Sequence, residues 1–277
     1  MKYPQFNTKS ELFKYLKENK SLLLAEKKAN KKEADSISFG VPVTCPNGTA
    51  VKSESFGQVD LETINAEVVI NTTNILDSHG DVHMKGIWTK SLKERKDLYL
   101  LQEHQMNFEG VITDELKASV KSYTWAELGF LDFKGSTEAL VFDAVINSDR
   151  NEYMFEQYFK GRVKQHSVGM QYVNLFLCIN SDEKYYREEK DNWNKYINEV
   201  VNKQDAIDLG YFWAVTEAKV VEGSAVLRGS NYATPTLSVT TTQDIEADVV
   251  TSTKEPQIST QTKQGLDYNY LINNFKL

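Results

Sequence analysis

Apolar and polar residues alternate over most of the chain. From about Ser36 the alternation runs between turn signals, as in SISFGVPVTCPNGTAV and INAEVVINTTNILDSHGDV. A period of two is typical of half-buried β-strands. The pattern returns in HSVGMQYVNLFLCI and in YFWAVTEAKVVEGSAVL. We therefore predict a mainly β domain with surrounding helices, an α+β fold, over residues 36–236.

The start of the chain follows a different period. Its Lys- and Glu-rich segment carries apolar residues at roughly helical spacing, namely Leu12, Phe13, Leu16, Leu22 and Leu23. Thr8 or Ser10 is suited to cap the first turn. This pattern predicts a solvated, amphipathic helical appendage over residues 1–35.

Three further segments have helical patterns within the β domain. Residues 86–94 predict a short helix. Residues 149–163 predict a longer one that turns four aromatic side chains towards a core, namely Tyr153, Phe155, Tyr158 and Phe159. Residues 182–208 are charged and helical, and we interpret them as an insertion between two core strands.

The C-terminal region has neither the period of two of a strand nor helical spacing. Residues 237–277 are dominated by Thr, Ser, Gln and charged residues, too polar to offset their ordering entropy by burial. We predict a disordered linker that ends in an aromatic docking segment, LDYNYLINNFKL.

Composition restricts the setting. The formal net charge of −7 gives no electrostatic reason to bind a phosphate backbone, so nucleic acid is not an expected partner. The two cysteines, Cys45 and Cys178, are too few for a disulfide scaffold and favour a reducing compartment. Neither a signal peptide nor an apolar stretch of membrane-spanning length is evident, so we expect a soluble, unexported chain without a membrane partner.

Ser167 is a candidate nucleophile on a predicted strand, with Gly169 on the same face. A serine needs a base to take its proton. His166 is adjacent, and neighbouring residues of a strand point to opposite faces. Lys164, three residues away, also lies on the other face. The base would therefore come from elsewhere, unless Ser167 is simply a buried serine of an ordinary strand.

The remaining histidines leave alternatives open. His79, Asp81 and His83 share one face if HGDVH is extended, which is compatible with a metal site. A turn followed by a strand with exposed polar residues is the reading we favour, and we expect neither a metal nor another cofactor. His104 follows an apolar run and is a candidate base, or else a structural histidine.

Four segments, taken in order, resemble the phage prohead protease family, whose fold is shared by the herpesvirus assembly proteases. DSHGDVHMKGIWTKSL is similar to the family's opening motif, with Lys85 where proline is usual. LLQEHQMNFEGVI resembles the segment with the catalytic histidine. QHSVGMQYV resembles the nucleophile strand, and AKVVEGSAVLRGSNYAT the closing motif. The likeness spans roughly residues 67–235.

The resemblance implies a closed β-barrel with surrounding helices and a serine-histidine site. Carried over, the nucleophile is Ser167, the base His104 and the third residue Glu222, with Asp77 and Asp81 as substitutes for Glu222. The viral relatives have a second histidine at the third position, but a carboxylate can also accept the imidazole N–H. The oxyanion hole would lie near Arg228 and Gly229.

The implied activity is limited proteolysis inside an assembling phage prohead, in the cytoplasm of the bacterial host. The expected partners are the major capsid protein, the scaffold and the chain itself, as a substrate or a homodimer. One alternative is a scaffold or capsid-assembly protein with the same fold but no catalysis. Another is an unrelated esterase, although Gln165, His166 and Val168 do not form a G-x-S-x-G elbow around Ser167.

Overall fold

A computed structural model of the protein describes residues 6–29, 62–95 and 97–241. The predicted docking segment and Cys45 lie outside these ranges, as does most of the predicted linker. The described chain has a mixed α+β fold. In order, its elements are α1 (Lys9–Glu18), α2 (Lys20–Ala29), β1 (Thr63–Thr72), β2 (Asp81–His83), α3 (Thr89–Glu94), β3 (Leu100–Gln102), β4 (Val111–Thr113), β5 (Leu116–Thr124), β6 (Ser136–Asn147), α4 (Glu152–Phe159), β7 (Gln165–Ile179), α5 (Arg187–Tyr196), α6 (Lys203–Leu209), β8 (Tyr211–Val226) and β9 (Thr236–Thr241).

One sheet has four antiparallel strands in the order β5-β6-β1-β9. Its last strand corrects the predicted start of the linker at residue 237. Thr236–Thr241 is polar in composition, but it pairs with β1 from Ile64 to Val68. The backbone hydrogen bonds of this pairing hold a segment that has little apolar surface of its own to bury.

The second sheet is organised around β8. Strand β7 pairs antiparallel with β8 over nearly its full length. Two short strands, β2 and β3, pair parallel with β8 at Trp213–Val215 and at Gly223–Ala225. Strand β4 extends the sheet beyond β3. Because β3 and β7 both pair with the same end of β8, side chains from three strands meet there.

The main core lies between the two sheets. A Cβ atom on Gly223 would lie 2.6 Å from Phe142 Cε2 and 2.8 Å from Ile70 Cδ1, so the absence of a side chain lets the sheets approach closely. A β-bridge between Gln165 and Pro235 connects the start of β7 to the segment before β9. In the described ranges the strand pairings define two sheets, and neither closes on itself as a barrel.

The N-terminal helices are not solvated as predicted. Thr8 caps α1 by accepting a hydrogen bond from the Glu11 N–H at 3.2 Å. The apolar face formed by Phe13, Leu16 and Leu23 is buried in the main core. The predicted amphipathic pattern is therefore present, but its apolar stripe packs on the domain.

Other helices differ in detail from the sequence predictions. Helix α4 is shorter than residues 149–163, and Tyr153 is 62% exposed because it lies outside the buried face of Met154, Phe155 and Tyr158. The expected insertion is present between β7 and β8, where α5 and α6 are accompanied by short 3-10 helices at Lys184–Tyr186 and Ile197–Glu199. Among the described residues, no helix has the length and apolar character needed to cross a membrane.

Candidate active site

Strand register places Ser167 beside the predicted third residue. Ser167 lies opposite Ser224, and Gly169 lies opposite Glu222. Residues opposite each other share a face, and alternate residues of one strand do so too. The side chains of Ser167, Glu222 and Ser224 therefore project from the same face of the sheet. Directly opposed residues have Cβ atoms about 5 Å apart. Ser167 is therefore a near neighbour of Ser224, which contacts the Glu222 carboxylate.

The structure brings His104 and Glu222 into direct contact. His104 Nδ1 lies 2.7 Å from Glu222 Oε1, and the Glu222 side chain is fully buried. The second carboxylate oxygen, Oε2, accepts a hydrogen bond from the Ser224 hydroxyl at 2.6 Å. An ionised carboxylate in this position favours the tautomer with the proton on Nδ1, leaving Nε2 as a proton acceptor.

His104 is presented by a tight turn after β3. Glu103 and His104 have φ angles of 48° and 59°, in the left-handed region that residues other than glycine seldom adopt. The Glu103 N–H donates to the Ala225 carbonyl at 2.9 Å, and the His104 N–H donates to the Ser224 hydroxyl at 3.2 Å. The turn is thus held against the end of β8 on both sides of His104.

The second imidazole nitrogen distinguishes His104 from two other histidines. Nε2 of His104 is buried and has no hydrogen-bond partner among the described residues. His166 is bonded through Nε2 to Tyr158 and through Nδ1 to the Thr234 carbonyl. His83 is bonded through its two nitrogens to Asn71 and Tyr172. His104 is therefore oriented at one nitrogen and available at the other.

His79 also lies near Ser167. Both residues line a small cleft that also contains His83 and Asn231. His79 Nδ1 is 4.0 Å from Asp77 Oδ2, and its side chain is 17% exposed. Asp77 Oδ1 accepts the backbone N–H groups of His79 and Asp81. Asp77 and His79 are thus a second carboxylate-imidazole pair close to Ser167. The distance between its nitrogen and oxygen atoms is longer than in the pair of His104 and Glu222.

Asp81 and His83 do not have the exposed surroundings predicted for them. Asp81 is fully buried and accepts hydrogen bonds from the Lys27 ammonium at 2.5 Å and the Tyr172 hydroxyl at 2.8 Å. Burial, followed by the Asp81 charge, raises the pKa of Tyr172 well above its usual range. Across the described ranges, no cluster of three or more His, Cys, Asp or Glu side chains is arranged to hold a metal ion.

Of the two predicted oxyanion residues, Gly229 lies against β7. Gly229 is buried, and its N–H points to Gln165 Oε1 at 3.4 Å, while Arg228 is exposed. A Cβ atom on Gly229 would lie 2.8 Å from the His166 carbonyl oxygen, so this turn passes next to the residue that precedes Ser167. Lys164 is exposed and precedes the first residue of β7.

A larger cleft of about 500 Å³ adjoins the turn that carries His104. Its walls come from α4, β3, β8 and the residues that directly follow them, and include Met154, Val163, Glu103, Ala225 and Leu227. Leu227 is 86% exposed and Tyr153, also in the wall, is 62% exposed. The cleft offers an apolar surface beside Glu103, which precedes His104 in the turn.

Ser224 is the residue of this site that sequence reasoning missed. The signal was its position two residues after Glu222 on a predicted strand, which places both on one face. That spacing alone does not distinguish a serine that contacts the carboxylate from one that fills space.

A scan against protein-family models, a search of curated proteins and a search of solved structures each gave no match to this chain. The interpretation of the site therefore depends on its geometry and on the motifs of the sequence.

Proposed function

We propose that this chain is a serine endopeptidase of phage prohead maturation, with Ser167 as nucleophile, His104 as general base and Glu222 as the residue that orients the base. The observation that supports the proposal most directly is the hydrogen bonding of the two His104 ring nitrogens. Its Nδ1 contacts a buried carboxylate at 2.7 Å, and its Nε2 is buried without a hydrogen-bond partner in the described chain. A histidine of a serine protease needs this arrangement to accept the serine proton.

The proposed reaction proceeds in two stages. His104 Nε2 takes the Ser167 proton as Oγ forms a bond to the scissile carbonyl carbon, and Glu222 stabilises the imidazolium. The tetrahedral intermediate collapses, the peptide C–N bond breaks and His104 returns the proton to the leaving amine. Water then attacks the acyl-enzyme in the same way, which releases the carboxyl product and restores Ser167.

Ser167 and His104 are not hydrogen bonded to each other in the described structure. Catalytic hydrogen bonds are often long in the absence of substrate and tighten in the substrate complex. Ser167 is 7% exposed and lies on the same face of the sheet as the Glu222 carboxylate that contacts His104.

The larger cleft supports a peptide substrate. The surface formed by Met154, Val163 and Leu227 offers apolar contacts for a side chain of an extended peptide, in a cleft that also contains Glu103, the neighbour of His104 in sequence. We include in the proposal that the two sheets are the halves of a barrel, joined through the bridge of Gln165 and Pro235. The proposed substrates are the major capsid protein, the scaffold and the chain itself, inside the prohead in the bacterial host.

Co-expression with the major capsid protein of the same phage tests this function. We expect intact masses to show a truncated capsid protein with the wild-type chain and an uncleaved one with Ser167→Ala. Ser91→Ala is the matched control, because Ser91 is a buried serine of α3 that accepts the Val220 N–H of β8 at 2.8 Å. Uncleaved capsid protein with both the wild type and the control would instead support a non-catalytic assembly protein.

A further inference from the structure

Ser224 joins two parts of the candidate site. It is fully buried, and its hydroxyl donates to Glu222 Oε2 at 2.6 Å. The same oxygen accepts the backbone N–H of His104 at 3.2 Å. One side chain thereby contacts both the carboxylate and the main chain of the residue that the carboxylate orients.

The two contacts constrain different degrees of freedom. The bond to Oε2 fixes the rotation of the carboxylate, so that Oε1 faces His104 Nδ1. The bond from the His104 N–H stabilises a residue whose φ of 59° is uncommon for a side chain other than glycine. Without Ser224, both the carboxylate rotamer and the position of the imidazole would be less restricted.

Ser224 is not placed to react with a substrate. It has no accessible surface, and its hydroxyl proton is donated to Glu222, whose other carboxylate oxygen contacts His104. Ser167 lies opposite on β7 and retains 7% exposure. The two opposed serines therefore have separate tasks.

We propose that Ser224 is a positioning residue, which aligns Glu222 and His104 for proton transfer from Ser167. This inference rests on the proposed serine chemistry and adds a fourth residue to it. Positioning groups of this kind act by holding the reacting groups in the productive geometry before the substrate binds.

The test uses a fluorophosphonate, which labels an activated serine without knowledge of the natural substrate. For Ser224→Ala we expect the maximal labelling rate to fall about 10- to 100-fold, as for a lost orienting contact, while the inhibitor concentration for half-maximal rate stays within about twofold. Ser224→Thr keeps the hydroxyl and should restore most of the rate. Ser91→Ala, a buried serine bonded to the same strand, should label at the wild-type rate.

A second readout does not depend on catalysis. Proton NMR should show a low-field Nδ1–H resonance of His104 in the wild type and in Ser91→Ala, displaced to higher field in Ser224→Ala. Circular dichroism establishes that each variant is folded. The positioning role is wrong if the wild type is labelled and Ser224→Ala has the same labelling rate and the same His104 resonance. A wild type that does not label contradicts the proposed protease, and the resonance then decides the role of Ser224 alone.

Discussion

Hydrogen bonding separates the histidines of this chain by task. His104 contacts the buried Glu222 carboxylate through Nδ1, whereas its Nε2 has no hydrogen-bond partner within the described residues. His166, although adjacent to Ser167, is fully buried and bonded at both nitrogens. Proximity in sequence favours His166, whereas the hydrogen-bond partners of the two imidazoles favour His104 as the proposed base.

The pKa of His166 gives a prediction on stability. Burial lowers this pKa from 6.5 to about 4, although the bond to the Thr234 carbonyl opposes the effect. In the unfolded chain His166 gains a proton below about pH 6.5, and in the folded chain it stays neutral until about pH 4. The unfolding free energy should therefore fall as pH decreases from 6.5 to 4, with a contribution on the order of 3 kcal/mol.

Urea unfolding at several pH values measures this contribution. His166→Gln should have a lower unfolding free energy at pH 7, because Gln does not reproduce the stacking on Tyr158, and a flatter dependence between pH 6.5 and pH 4. An unchanged pH dependence in His166→Gln would contradict the assignment.

At the scale of elements, α2 is attached to the second sheet by a buried ion pair. Lys27 of α2 is 2% exposed and bonds to the fully buried Asp81 of β2 at 2.5 Å. Lys17 and Lys20 bond to Glu189 of the helical insertion at 2.6 and 2.8 Å. The N-terminal helices thus contact both the strand next to β8 and the insertion, through charges as well as apolar side chains.

Removal of Lys27 should destabilise the fold. Lys27→Met leaves the Asp81 charge buried without its cation, which typically costs about 3 to 5 kcal/mol. Lys28→Met, at the exposed neighbouring position, should change the unfolding free energy by less than about 0.5 kcal/mol. Denaturant unfolding compares the variants, and the combined Lys27→Met, Asp81→Asn variant should recover part of the loss. Equal stability of both single variants would refute a structural role for the pair.

The sequence predicts helices and strands more readily than the burial and the contacts of their residues. Period-two patterning located β7 and β8, and the helical spacing of Phe13, Leu16 and Leu23 indicated the N-terminal helices. Burial of Lys27 was not predictable from a Lys-rich segment, since only the distant Asp81 distinguishes it from its solvated neighbours. Likewise, β9 is polar, and its strand conformation depends on pairing with β1.

At the scale of the molecule, the candidate site lies where three strands of one sheet meet. Ser167 comes from β7, Glu222 and Ser224 from β8, and His104 from the turn after β3. The sequence motifs indicated Ser167, His104 and Glu222, but the contact of His104 with Glu222 depends on β3 pairing in parallel with β8. That pairing joins residues about 120 positions apart in sequence, as the His104 to Ser224 separation shows, and no local pattern reports it.

Activation of Ser167 by His104 can be measured as the intact mass of the chain after fluorophosphonate treatment. We expect one adduct on the wild-type chain, none on Ser167→Ala and strongly reduced labelling of His104→Ala. His79→Ala is the matched variant, because His79 lines the cleft with Ser167 and lies beside its own carboxylate, Asp77. It should label at close to the wild-type rate. Retained labelling in His104→Ala with loss in His79→Ala would rule out His104 as the base and assign that role to His79.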